Sequence, residues 1–223
     1  MTEIKLVAMT QPVGLDGVET VEEFVAWAAR VSNPNNQNNS KTAKKLIKYL
    51  LNHKHFSPFE MASVSMQIKT TRDIARQILR HRSFAFQEYS QRYAVADDFI
   101  TREARLQDLK NRQNSISLDL ENDEGMRRLN EEFRMKQMKL LSDTQEVYDW
   151  ALSNNIAKEQ ARAVLPEGLT MSTLIMTGSV RSWVHYIDVR AGEDTQKEHR
   201  DIAKAAKSIL LNNFPSLGDY WND

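Results

Sequence analysis

Between residues 64 and 90 the chain changes periodicity twice, and few folds accommodate the sequence that results. Val64, Met66 and Ile68 alternate with Ser65, Gln67 and Lys69, the period of a strand with one buried face. From about Thr71 the pattern becomes helical, with Ile74 and Ile78 on an apolar side and Arg72, Arg76 and Arg80 recurring every fourth residue on another. After Arg82 it reverts to alternation, with Phe84, Phe86, Glu88 and Ser90 set against Ala85, Gln87 and Tyr89, which reads as an extended segment crossing a site. Like charges four apart on a helix cost about 0.2–0.5 kcal/mol per pair, which a purely structural helix has little reason to accept. Residues 80–92 then put Arg80, His81, Arg82, Glu88, Ser90 and Arg92 among three aromatic rings. Clustered guanidinium groups need an anion to offset them, and the planar fork of Arg suits phosphate. The stretch reads as a phosphate site; a solvated helix end followed by an amphipathic strand is the bland alternative.

Composition narrows the setting. A chain of 223 residues is long for one domain and short for two, so a single domain of mixed structure with a sizeable core is expected. Lys and Arg number 30 against 30 Asp and Glu, so no global field draws the chain to nucleic acid or membrane, and any anion site must arise by local clustering. The first residues lack a leader-like apolar stretch and no run approaches the ~18 apolar residues of a span, which gives the expectation of a cytoplasmic protein. Cysteine is absent, which removes disulfides, thiolate metal sites and thiol nucleophiles together. None of the seven glycines forms Gly-x-Gly-x-x-Gly, so a dinucleotide would have to be held by charge.

The remaining elements follow from local signals. Residues 4–9 are a short apolar run ending at Pro12 and Gly14, consistent with a first strand. Thr20 with Glu23 forms a capping box ahead of Val21, Phe24, Val25 and Ala28 at helical spacing, and the Asn-rich residues 33–39 form a loop. A second helix spans about 41–52, and Ser57-Pro58-Phe59-Glu60 offers an N-cap, a Pro at the first position and a Glu at the third for one further turn. Residues 105–115 are polar and poorly periodic, a loop or mobile lid; 120–153 carry one or two helices. A shorter helix covers 158–165 and stops at Pro166, 169–177 read as a strand, Ser179 caps a helix through Arg190, and a last helix covers 196–214. No internal repeat or interdomain linker is visible.

The spacing Arg80-His81-Arg82, then Ser90 and Arg92, resembles the signature of the flavin-dependent thymidylate synthases. The resemblance extends to His55-Phe56-Ser57-Pro58-Phe59-Glu60, to Ala161-Arg162-Ala163-Val164-Leu165-Pro166, and to Arg181-Ser182 through Arg190 and on to residues 195–200. Ala85, Gln87 and Met61 depart from it, standing where the family usually has Ser, Asn and His. The resemblance implies an α+β single domain, a mostly antiparallel sheet flanked by helices, and a homotetramer whose active sites are shared between subunits. It also implies reductive methylation of dUMP to dTMP with 5,10-methylenetetrahydrofolate as carbon donor and FAD, reduced by NADPH, as hydride source. A chain without Cys cannot use the alternative route, in which a thiolate adds to the uracil ring.

By the same resemblance the dUMP site takes Gln77, Ile78, Leu79, Arg80, Glu88, Tyr89, Ser90, Gln91, Arg92, Arg162 and Arg190, with Arg190 catalytic. The FAD site takes His55, Ser57, Arg80, His81, Arg82, Glu88, Ser179, Val180, Arg181 and His185. Arg190 would favour loss of the uracil N3 proton, pushing electron density toward carbon 5; the competing role is that of a cation at a helix C-terminus. Arg162 without the resemblance is a surface arginine, and His185, among Trp183, Val184 and Ile187, a structural histidine. Ser90 reads as a phosphate donor rather than a nucleophile, because only Glu88 stands near it as a base. Ser179-Val180-Arg181 suits an anion as a helix N-terminus. Two features read as decoys. His199-Arg200-Asp201-Ile202 imitates a kinase catalytic loop, but Ala206 replaces the metal-binding Asn, so it reads as helix surface. His53 and His55, two residues apart, face away from each other on a helix, and no metal is expected. The competing function is a nucleic-acid or nucleotide-binding module using Arg72, Arg76, Arg80 and Arg82 with the nearby aromatics; a third is a flavoprotein reductase indifferent to nucleotide.

Overall fold

The computed structural model describes residues 2–221. Strand β1 (Glu3–Met9) is followed by helix α1 (Val21–Ala29), which starts where the capping box places it. Thr20 Oγ1 accepts from the Glu23 backbone N–H at 3.2 Å, and the Glu23 carboxylate accepts from the Thr20 N–H at 2.9 Å. Two 3-10 turns occupy the Asn-rich connection before α2 (Ala43–Asn52). The turn Ser57–Glu60 is also 3-10, and Phe56, not Ser57, is its N-cap, with no side chain capping it. Next come β2 (Ser63–Thr71), α3 (Arg72–Ile78) and β3 (Ala85–Glu88). Because α3 ends at Ile78, Arg80 lies beyond the helix rather than on its arginine face.

Residues 105–115, read from sequence as a loop, instead fold into a hairpin of β4 (Arg105–Gln107) and β5 (Ser115–Ser117). Its turn is organised by Asp108, whose carboxylate accepts from the Lys110 and Asn111 N–H groups at 2.8 and 3.1 Å and from Asn114 Nδ2 at 2.9 Å. A single helix, α4 (Glu124–Ser153), then runs 30 residues from an Asp123 cap. After α5 (Lys158–Ala161) and one 3-10 turn come β6 (Met171–Ser179), α6 (Val180–Arg190), α7 (Lys197–Asn213) and a last turn α8 (Gly218–Trp221).

The main sheet has the order β1-β2-β6-β3, with every neighbouring pair antiparallel. Register puts Ile4 opposite Ile68, Met66 opposite Met176, Ile68 opposite Leu174 and Phe86 opposite Met176, so these residues share one face. Against that face pack Val25, Ile47, Leu51, Trp183, Ile187, Ile202 and Leu210 from α1, α2, α6 and α7, forming the core. The opposite face carries Ser65, Gln67, Lys69, Thr173, Ile175 and Thr177, all half-exposed. A smaller core joins Tyr148 and Ala151 of α4 to Ala96, Ala161 and Leu165. Much of the apolar side of α4 stays uncovered among the described residues: Leu129, Phe133, Leu140, Val147 and Trp150 are all exposed.

Candidate active site

The arginines of α3 are neutralised within the chain. Arg72 lies 3.6 Å from Glu88, which also accepts from Ser172 Oγ at 2.8 Å, and Arg76 pairs with Glu167. The like-charge pair on α3 is therefore compensated by carboxylates from β3 and the 166–169 turn. Arg92 pairs with Glu159 at 3.2 Å. Arg162, half-buried, joins Arg72, Arg76 and Gln91 in a cleft of about 310 Å3 and forms no ion pair among the described residues. Gln91 is buried with its Nε2 unpartnered, and Ser90 Oγ accepts from the Arg92 N–H at 3.4 Å. Tyr89 donates to the Val95 carbonyl at 2.7 Å. Ser90 lies past the end of β3, not on the Glu88 strand face, and Glu88 is taken up by Arg72 and Ser172, which leaves Ser90 without a base.

A second group gathers where α6 and α7 meet the segment after α3. Arg190 donates its Nε–H to His81 Nε2 at 2.9 Å, which requires the proton of a neutral His81 to sit on Nδ1. Burial first, then Arg190, His185 and Arg80, push the His81 pKa down to about 4. His81 meets Tyr186 edge-on at 4.9 Å, and burial holds the Tyr186 phenol well above its usual range. Gln77 bridges to α7, donating to Gln196 Oε1 at 2.8 Å and lying 3.3 Å from His199 Nδ1. His199 is fully buried, so the segment read as helix surface faces inward at this residue. Arg190 sits in the last turn of α6, yet its terminal guanidinium nitrogens have no partner among the described residues.

A third group lies at the start of α6. Ser179 accepts from the Ser182 N–H at 3.1 Å as the cap expected of it. The Val180 N–H is already donated to Ala62, so the backbone offers an anion fewer free donors than a bare helix N-terminus would. Arg181 pairs with Glu60. His185 is exposed, so it is not the satisfied structural histidine of the alternative reading. With Ser83, Arg181, Ser182 and Tyr220 it lines a cleft of about 550 Å3, to which Lys54 and Phe56, chain neighbours of His55 and Ser57, also contribute. His53 and His55 do not face apart: Lys54 adopts a left-handed φ of 55° after the helix and brings the two rings to 6.0 Å beside Tyr49. Among the described residues no cluster of three or more His, Asp or Glu residues is arranged to hold a metal.

Ile78 is buried in the core, its side chain turned from any ligand, and Leu79 caps α3. Arg80 and Arg82 are exposed and form no ion pair among the described residues. The cleft with Arg162 and Gln91 and the cleft with Arg181 and His185 share no lining residue. Gln196, Glu198 and His199 lie in the 195–200 block of the family resemblance but carried no site assignment from sequence, and His199 was read as helix surface; in the fold Gln196 and His199 meet Gln77, and Glu198 holds Gln196.

The chain matches the family described as "Thymidylate synthase complementing protein" over residues 15–216. A "Probable flavin-dependent thymidylate synthase" of Paramecium bursaria Chlorella virus 1 is 49% identical over 214 residues, covering 96% of this chain and 95% of that protein. A "Flavin-dependent thymidylate synthase" of Synechocystis sp. is 43% identical over 217 residues, covering 96% and 97%. The solved structure of a UMP/dUMP methylase PolB from Streptomyces cacaoi, bound with 5-Br dUMP, superposes with a TM-score of 0.79 at 23% identity, covering 100% of this chain and 95% of that one, and so shares its fold.

Proposed function

The chain belongs to the family of thymidylate synthase complementing proteins, the flavin-dependent thymidylate synthases, and from that premise we propose that it converts dUMP to dTMP. The carbon comes from 5,10-methylenetetrahydrofolate and the hydride from FAD reduced by NADPH. The observation that carries the residue assignment is Arg190: a half-buried guanidinium with no carboxylate among the described residues, its Nε–H spent on a neutral imidazole and its terminal N–H groups unspent. Carbon 5 of uracil is a weak nucleophile, and charge released by losing the N3 proton enriches it. A fixed cation stabilises that charge without reorganisation. Neutral His81 orients the guanidinium and adds no competing positive charge.

In the same reading Gln77, Arg80, Glu88, Ser90, Arg92 and Arg162 bind the nucleotide, Arg and Ser at its phosphate, with the 78–79, 89 and 91 backbone alongside. Glu88 acts chiefly by fixing Arg72 and Ser172. In this reading FAD takes the cleft at the start of α6, where Ser83, Ser182 and His185 are open polar groups along about 550 Å3, while Arg80 and Arg82, exposed cations outside that lining and without ion pairs among the described residues, suit its pyrophosphate. Arg181, His81, Ser179, Val180, His55 and Ser57 complete that set. When bound and reduced, FAD supplies the hydride that makes the transferred carbon a methyl group.

The working unit in this reading is a homotetramer. Two supports are the division of the site residues between clefts that share no lining, and the stripe of exposed Leu129, Phe133, Leu140, Val147 and Trp150 along α4. A nucleic-acid surface is disfavoured because Glu88 and Glu167 neutralise two of its four arginines. No helix among the described residues is long and apolar enough to cross a membrane. The test is the absorbance spectrum of the purified protein followed by anaerobic NADPH oxidation with and without dUMP. A flavin spectrum with nucleotide-dependent reduction is expected; a protein that takes up no flavin would overturn the reading, and flavin reduction indifferent to dUMP would point to a reductase.

A further inference from the structure

Gln77 is held from behind by a row of hydrogen bonds whose direction one carboxylate decides. Glu198 can only accept: its Oε2 takes a bond from Gln196 Nε2 at 3.0 Å, and Arg105 donates to its other oxygen. Gln196 must therefore turn its carbonyl oxygen away from Glu198, and that oxygen accepts from Gln77 Nε2 at 2.8 Å. With its amide nitrogen so engaged, Gln77 presents Oε1 to His199 Nδ1, 3.3 Å away. An acceptor at that place requires a proton on Nδ1. The polarity set at Glu198 thus passes through two amides and fixes the tautomer of His199.

The other ring nitrogen, Nε2, is buried without a partner among the described residues, although His199 is fully enclosed. A leucine would fill the same space without stranding a polar atom. Burial, then Arg190 of α6 and His81 of the segment after α3, push the His199 pKa down to about 3, so it stays neutral; the Tyr186 ring stands 5.7 Å away. Among the described residues the ring makes one hydrogen bond, to Gln77.

We infer that His199 is a positioning residue for the nucleotide site, donating from Nδ1 to lock the Gln77 amide so that its second N–H stays free for the substrate. This rests on the reading of Gln77 as a dUMP contact. The test compares His199→Asn, His199→Gln and His199→Leu in the FAD-loaded enzyme. Asn carries an amide N–H where His carries Nδ1, Gln carries it where His has Nε2, and Leu carries none. KM and kcat for dUMP, flavin content and melting temperature are measured for each, and again with Gln77→Ala.

The expected result is a KM for dUMP raised about fivefold in the Gln and Leu variants, the scale of one lost hydrogen bond, with kcat changed less and flavin retained. Asn restores KM to within about twofold of the parent, and none of the three changes KM further once Gln77 is Ala. Equal impairment of Asn and Gln would make His199 a matter of ring volume, and parental KM in both would show that Gln77 needs no lock. Either overturns the inference, and the Asn–Gln comparison decides it even where Leu fails to fold. Absence of dTMP formation by the parent enzyme would instead count against the proposed function.

Discussion

Arg190 and His81 form a pair: the imidazole takes the Nε–H, and burial first, with the guanidinium's charge second, keeps the imidazole from charging. Lysine at 190 would keep the charge but lose the fork. Arg190→Lys is expected to lower the rate of dTMP formation at saturating dUMP about 100-fold with flavin retained, the scale of losing one preorganised electrostatic group; near-parental turnover would reduce Arg190 to a helix-end cation. Ser90→Ala should raise KM for dUMP a few-fold and leave kcat nearly unchanged, since no base stands by Ser90 to make it a nucleophile; loss of turnover with normal binding would contradict this. The histidines also set an acid limit. His81 and His199 have pKa values pushed from 6.5 to about 4 and about 3, so below pH 6.5 the unfolded chain binds more protons than the folded one. Stability contributed by their neutrality is present above pH 6.5 and is lost as pH falls through that window. Melting temperature should drop between pH 6.5 and 4, less steeply in His199→Leu.

At the scale of elements, the sequence was most legible where one local signal acted alone. The Thr20 box, the alternation in β2 and the Ser179 cap of α6 all appear in place. Thr20→Ala should cost about 1 kcal/mol of stability in denaturant unfolding. The β4–β5 hairpin was illegible because its strands are three residues each, too short for periodicity, and its order comes from Asp108 side-chain bonds. The compensation of the α3 arginines was hidden because Glu88 and Glu167 are distant in sequence. Gly178 likewise gave no sign of its packing role: a Cβ there would sit 2.4 Å from the Phe84 ring, itself edge-on to Trp183 at 4.9 Å. Gly178→Ala should therefore destabilise by about 2 kcal/mol, lowering the melting temperature by about 6 °C; an unchanged melting temperature would mean that the ring moves freely.

At the scale of the molecule, the arrangement is a helix-backed antiparallel sheet with one half-exposed face and a long helix whose apolar stripe is left exposed among the described residues. The residues of the candidate site were named from motifs, but their distribution over separate clefts is a property of the fold that no motif states. If assembly completes the site, Phe133→Asp should both reduce the mass seen by light scattering below that of a tetramer and lower activity in parallel; full activity in a monomer would separate the two. The claim on which the rest depends is the reaction itself. The most direct measurement is mass-spectrometric detection of dTMP from dUMP, with methylenetetrahydrofolate, NADPH and FAD each omitted in turn. dTMP is expected only in the complete mixture; dTMP formed without flavin, or none formed in the complete mixture by flavin-loaded protein, would rule out the flavin-dependent reaction.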